Sequence, residues 1–177
     1  MQKKFYVNFL TRIRGKGNLG KVYSFGQGLA GKIIPGFDYD SSKRMLSIEY
    51  LKAIEAISRG LKLPKYEGLS DLFNFKNFKK MPVLLMRDLG SKSLDNLFGE
   101  EFDLAMESRK SQLELAKKKG VCIYDPFLSN SVWVPEENQT YFVDPYHWSF
   151  LDIPNSKKSQ SIPIFNFEDE RFSEFEF

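Results

Sequence analysis

GVCIYDPFLSNSVWVPEENQTYFVDPYHW, from Gly120 to Trp148, is the stretch whose reading decides the fold. Two short apolar runs, VWV and YFV, flank the turn-like segment PEENQ, and this predicts a β-hairpin. Asp125 and Asn130 stand just before the hairpin, and Asp144 stands just after it. A hairpin with oxygen donors at both ends can gather them around a divalent cation. Carboxylate and amide oxygens suit a hard ion such as magnesium. The rest of the chain then reads as supplying a phosphate cradle, a lysine and a lid.

With 177 residues, 42% of them hydrophobic and 17 of them phenylalanine, the chain can build one domain or a small two-lobed one around a real core. A net charge of +3 is too small to indicate a nucleic-acid binder. The single cysteine, Cys122, lies in an apolar run, cannot form an internal disulfide and is expected in the core. MQKKFYVNFLTRIRGKG has no sustained apolar region and no small-residue cleavage site, and no run approaches membrane-spanning length. No membrane partner is expected. The expected location is a reducing, cytoplasmic compartment, with specialised secretion that needs no such peptide left open.

Working outward, FYVNFLTRI predicts a first strand, and glycine turns then separate YSFG from QGLAGKIIP, as in the start of a five-stranded antiparallel lobe. SSKRMLSIEYLKAIEAIS predicts a helix capped by Ser41 or Ser42, apolar at Met45, Ile48, Leu51 and Ala56, and ended by Gly60. LKLPKYEGLSDLFNFKNFKK reads as irregular, and MPVLLMRDLG as a buried strand closed by a turn. SKSLDNLFG suggests a short helix. EEFDLAMESRKSQLELAKKKG is a clearer one, with Phe102, Ala105, Met106, Arg109, Leu113 and Ala116 on one face. SFLDIPNSKKSQS reads as a loop, and the tail IPIFNFEDERFSEFEF alternates aromatic and acidic residues.

Gly15, Gly17 and Gly20 form GKGNLG, with Val22 two residues on. Such glycines let a backbone approach phosphate oxygens closely, and they serve an ordinary hairpin equally well. The extended look of GKVYSFG favours a hairpin lid over a dinucleotide-binding turn. Lys32, between apolar neighbours, points either to solvent or into a cleft. Glu49, between Ile48 and Tyr50, is either a solvated helix residue or the partner of Lys32.

In this order the residues resemble the protein-kinase-like superfamily. GKGNLGKV matches the loop G-x-G-x-x-G-x-V, Lys32 the lysine of the third strand, and Glu49 the glutamate of the next helix. Asp125 and Asn130 match D-x-x-x-x-N, and Asp144, in DPY, matches the aspartate of D-F-G. The resemblance implies an α+β, two-lobed fold: an antiparallel-sheet N-lobe over residues 1–86 and a shortened helical C-lobe over 87–177. It implies an ATP- and magnesium-dependent phosphotransferase, most simply a serine/threonine protein kinase like the miniature kinases that some bacteria deliver into host cells. Gly15, Lys16, Gly17, Asn18, Leu19, Gly20 and Val22 would cover the nucleotide, and Met86, Arg87, Asp88 and Leu89 would form the hinge beside adenine. Lys32, positioned by Glu49, would hold phosphate. Asn130 and Asp144 would hold Mg2+, and Asp125 would take the acceptor's hydroxyl proton.

The pattern departs from the family where Ile123 and Tyr124 replace H-R, where Phe127 and Leu128 replace polar residues, and where D-F-G becomes Asp144-Pro145-Tyr146. No A-P-E is visible, and the later C-lobe helices are expected to be missing. Expected partners are ATP and a protein substrate or activating protein. Two other readings stand beside this one: a nucleotide-binding pseudokinase acting through a protein partner, and an unrelated small α+β binding domain.

Overall fold

A computed structural model of the chain describes residues 5–6, 12–16, 20–74, 79–90 and 92–151. The expected first strand falls partly outside these, as do Gly17, Asn18, Leu19 and the tail from 152 onward. Six strands form the main sheet, in the order β1-β5-β6-β4-β3-β2. They are β1 (Phe5–Tyr6), β2 (Arg12–Lys16), β3 (Lys21–Gly26), β4 (Leu29–Ile33), β5 (Tyr66–Asn74) and β6 (Lys79–Arg87). β2 to β6 are antiparallel, and the two-residue β1 joins β5 in parallel. The turn from β3 to β4 runs through Gly26, Gln27 and Gly28, at φ 80°, 51° and 73°. Two glycines make that left-handed path inexpensive.

Register sorts the side chains. Val22 lies opposite Lys32, Lys32 opposite Leu84, and Ala30 opposite Met86. Directly opposed residues share a face, and so do alternate residues of one strand. Lys32 therefore shares the face of Ala30, Leu84 and Met86, which belongs to the main core together with Leu46, Ala53 and Ala56 of helix α1 (Tyr39–Ser58). The opposite face gathers Ile33, Leu72, Val83 and Leu85 against Tyr23, Phe25 and Leu29.

Helix α1 corrects two expectations. Its cap is Asp38, whose carboxylate accepts the Ser41 N–H at 2.9 Å and the Ser41 hydroxyl at 2.6 Å. Ser42 instead donates to the Ile34 carbonyl. The buried face is Ser42, Leu46, Glu49, Ala53 and Ala56, whereas Leu51 is 46% exposed. Ser42, Ala53 and Ala56 are small and allow the helix to approach the sheet, and Leu46 and Glu49 are buried beside them.

The stretch read as irregular contains β5, the long partner of β6. A register shift between Tyr66 and Gly68, with Gly68 at φ 113°, breaks the period-two pattern by which a strand is recognised. Pro82 is tolerated in β6 because β4 pairs only from Leu84 onward, leaving one side of Pro82 without a ladder.

Beyond β6 the expected short helix is a single 3-10 turn, Leu94–Asn96. Helix α2 (Gly99–Lys118) buries Ala105, Arg109, Gln112 and Ala116. β7 (Val121–Cys122) pairs with β10 (Ser149–Phe150), so the segment after Trp148 begins as a strand and not as a loop. Cys122 is only half-buried. The hairpin is β8 (Ser131–Val134) against β9 (Gln139–Phe142), turned through Pro135–Glu137 and a left-handed Asn138. The architecture is α+β, with an antiparallel sheet followed by a smaller helical part. Among the described residues, no helix is long and apolar enough to cross a membrane.

Gly31 gives a direct test of the sheet packing. A Cβ there would lie 2.2 Å from Phe25 Cε2 and 2.7 Å from Val83 Cγ2. Gly31→Ala is expected to cost about 1–3 kcal/mol in urea unfolding. An unchanged midpoint would mean that Phe25 swings away freely.

Candidate active site

Lys32, central in β4, is 5% exposed and Glu49, central on the buried face of α1, is 1% exposed. The ammonium donates to Glu49 Oε2 at 2.7 Å and to Asp144 Oδ1 at 2.8 Å. Burial opposes the charge of Lys32, but the two carboxylates outweigh it and raise its pKa. Burial dominates at Glu49, lifting its carboxyl to about 7 against the pull of Lys32, and the charge of Asp144 adds to the rise.

Asp144 follows β9 with φ 59° and ψ 59°, a left-handed conformation that Asp adopts more readily than most residues. It leads into the 3-10 turn Pro145–His147. Such backbone conformations concentrate at functional sites.

Asp125 and Asn130 form a second unit. Asn130 Nδ2 donates at 3.1 Å to both the carbonyl and Oδ2 of Asp125. Asp125 Oδ1 is buried with no hydrogen-bond partner among the described residues. Burial raises the pKa of this carboxyl, and the charge of His147 works the other way. The two units adjoin, because the Val143 N–H donates to the Asn130 carbonyl at 3.0 Å. Arg109, buried on α2, steadies the loop between Asp125 and Asn130. Its Nε donates to Ser131 Oγ at 3.2 Å and its Nη2 to the Pro126 carbonyl.

Of the expected nucleotide cover, Gly15 lies opposite Val22 and Lys16 opposite Lys21 in the β2–β3 hairpin. Gly20 lies directly against Lys32: a Cβ there would sit 2.9 Å from Lys32 Cε and 3.1 Å from the Ile33 carbonyl. In the expected hinge, Met86 is buried in the main core. Arg87 pairs with Glu137, which also accepts the Tyr141 hydroxyl, and this ties the end of β6 to the hairpin turn. The Asp88 carboxylate accepts from Ser24 Oγ at 2.6 Å and the Gly90 N–H at 2.9 Å, and its own N–H donates to the Gly28 carbonyl. Asp88 is thus engaged within the protein. Leu89 is half-buried beside it.

Among the described residues, no group of three or more His, Cys, Asp or Glu side chains is placed to hold a metal ion. One carboxylate and one amide oxygen suit magnesium that completes its shell with phosphate and water, and do not suit a cage made by protein alone.

A Stt7 homolog from Micromonas algae, solved from a crystal soaked with ATP, has a similar structure, with a TM-score of 0.60 over 80% of this chain and 49% of that one, at 13% identity. The fold is kinase-like. The chain spans about half the length of that solved chain. WbdD, co-crystallised with a kinase inhibitor, is more distant: a TM-score of 0.49 and 14% identity over 76% of this chain and 32% of that one. No protein-family model and no curated protein sequence matches the chain.

Within this kinase-like fold, sequence reading passed over Lys52 and Tyr66. Lys52 donates to the Tyr146 carbonyl at 2.6 Å. The Tyr66 hydroxyl is buried without a partner among the described residues, and burial, then the charges of Glu49 and Asp144, raise its pKa. Trp148 is 2% exposed and packs edge-on to Phe142. Lys52 had a signal, since it follows Glu49 by three residues on one helix. Arg109 also had one, as the charge on an otherwise apolar face.

The raised carboxyl of Glu49 has a definite sign. The folded state holds this proton more tightly than the unfolded chain, so the contribution of Glu49 declines as pH rises from its ordinary 4.5 to about 7. Glu49→Gln mimics the protonated acid. It should gain stability relative to wild type across that window, by about 3 kcal/mol at most. Parallel stability–pH curves for the two proteins in denaturant unfolding would contradict the assignment.

Proposed function

We propose that the chain is an ATP- and magnesium-dependent phosphotransferase, acting most simply on a serine or threonine hydroxyl of a protein. The observation that carries this reading is Lys32, buried between Glu49 and Asp144 with Gly20 against its stem. An ammonium held at a fixed place by two carboxylates is suited to fixing phosphate, and the missing Cβ at Gly20 lets the preceding loop approach the lysine stem closely. Residues 1–86 and 87–177 would act as two lobes around one site.

In this reading Lys32 holds the α- and β-phosphates, and Glu49 fixes where its ammonium points. Backbone N–H groups between Gly15 and Gly20 cradle phosphate oxygens, and the chain from Met86 to Leu89 borders the adenine. Asn130 and Asp144 would hold magnesium, and the ion would supply positive charge against the phosphates. Asn130 also orients Asp125 through Oδ2. The raised pKa of this carboxyl suits it to take the proton of the attacking hydroxyl. Catalysis would be mainly positioning and electrostatic stabilisation.

The second reading, a nucleotide-binding scaffold without transfer, is favoured by one observation. Tyr124 and Phe127 flank Asp125 with exposures of 68% and 67%. Exposed aromatic rings there suit protein contact as well as acceptor binding.

The test is transfer of labelled γ-phosphate in magnesium. Lys32→Met and Asp144→Asn are each expected to lower the rate by about 100-fold or more. Asn is chosen at position 144 because it tolerates the left-handed backbone. If ATP with magnesium raises the wild-type melting temperature but no phosphate moves to protein or water, the scaffold reading replaces the enzyme.

A further inference from the structure

Helix α1 carries a second residue aimed at the turn after Asp144. Lys52 Nζ donates to the Tyr146 carbonyl at 2.6 Å and lies 5.8 Å from the centroid of the Tyr146 ring. Tyr146 in turn packs edge-on against His147, with ring centroids 5.0 Å apart. The ammonium is also close enough to Asp125 for the two charges to interact. Helix α1 and the 3-10 turn are in direct contact along this seam.

We propose that Lys52 is a positioning residue of the site, a strut between α1 and the Pro145–His147 turn that keeps Asp144 in register with Glu49 and Lys32. The proposal rests on the phosphotransfer reading. Its logic lies in what Lys32 alone cannot do. Lys32 bridges both carboxylates and so holds α1 and the turn together. A phosphate that takes up part of the ammonium's hydrogen bonding weakens that bridge when the alignment matters most. Lys52 provides a second tie between α1 and the turn that does not pass through Lys32.

The choice of residue supports this. Burial lowers the pKa of Lys52, so an ammonium in this position is costly, and the carbonyl and Asp125 offset the cost. An apolar side chain would fill the same space but could not bond the turn. The turn needs a bond because Asp144 sits in a left-handed conformation with an adjoining proline, away from any strand ladder.

The experiment compares wild type, Lys52→Met and Lys52→Arg in the full chain. Amide hydrogen exchange without nucleotide is read at residues 144–148, and kcat and KM for ATP are read in magnesium. Lys52→Met should exchange about 10-fold faster at that segment while the rest of α1 is unchanged. It should lose about 30-fold or more in kcat with KM for ATP within about three-fold of wild type, as expected for misplaced rather than missing groups. Lys52→Arg should restore most of both. Unchanged exchange in Lys52→Met overturns the strut. Faster exchange with kcat intact overturns the positioning role. A wild type that moves no phosphate brings down the phosphotransfer reading and the positioning role with it, while the exchange data still decide whether Lys52 ties the turn.

Discussion

One ammonium between two carboxylates holds the centre of this molecule. Lys32 comes from a strand, Glu49 from a helix 17 residues later, and Asp144 from a turn 112 residues away. Removing such charges from water costs several kcal/mol each, so the arrangement persists only if all three arrive together. Much of the surrounding sequence serves that arrival. Gly20 withholds a Cβ from the lysine stem, and Ala53 and Ala56 let the glutamate's helix lie close to the sheet. Asp144 accepts a left-handed backbone. The cluster is therefore a constraint on the fold before it is a tool for chemistry.

A second pattern recurs around it. Three basic residues, two on helices and one at the end of α1, donate to carbonyls outside the sheet ladders: Lys52 to Tyr146, Arg109 to Pro126, and Arg59 to both Lys119 and Leu151. Loops near a core carry carbonyls that no ladder satisfies, and each needs a donor. Arg59 shows the economy of this device. It also pairs with Glu55 on its own helix and lies 5.1 Å from the Phe150 ring, so one side chain joins α1, the end of α2 and strand β10. The helices thus hold the site's loops through cations and not only through packing.

What could be read in the sequence follows from which signals are local. The hairpin around PEENQ was legible because alternating apolar runs and a turn lie within a dozen residues. The α+β architecture was legible because glycine turns, a helical stretch and a second helix follow one another clearly. The face of Lys32 was not legible: alternation says only that it shares a side with Ala30, and the side is decided by pairing with Leu84 on a distant strand. The buried face of α1 was misread because it carries a serine and a glutamate, whereas Leu51 and Ile54 point outward. Strand β5 was hidden by its bulge at Gly68. Each failure marks a place where tertiary pairing overrode local pattern.

The surroundings of Asp125 carry the argument one step further. The residue two places before it, Ile123, packs against the main core, and Tyr124 turns outward with its hydroxyl on Ser149 at 2.9 Å. Neither supplies charge to Asp125. Support arrives from elsewhere: Asn130 from the same loop, His147 and Trp148 from beyond Asp144, and Lys52 from α1. The polar groups around this carboxylate thus come from several elements and not from the residues just before it. The cost is dependence on tertiary packing. An aspartate steadied by its own chain neighbours survives small shifts between elements, whereas this one is steadied from three segments and depends on all of them staying in register.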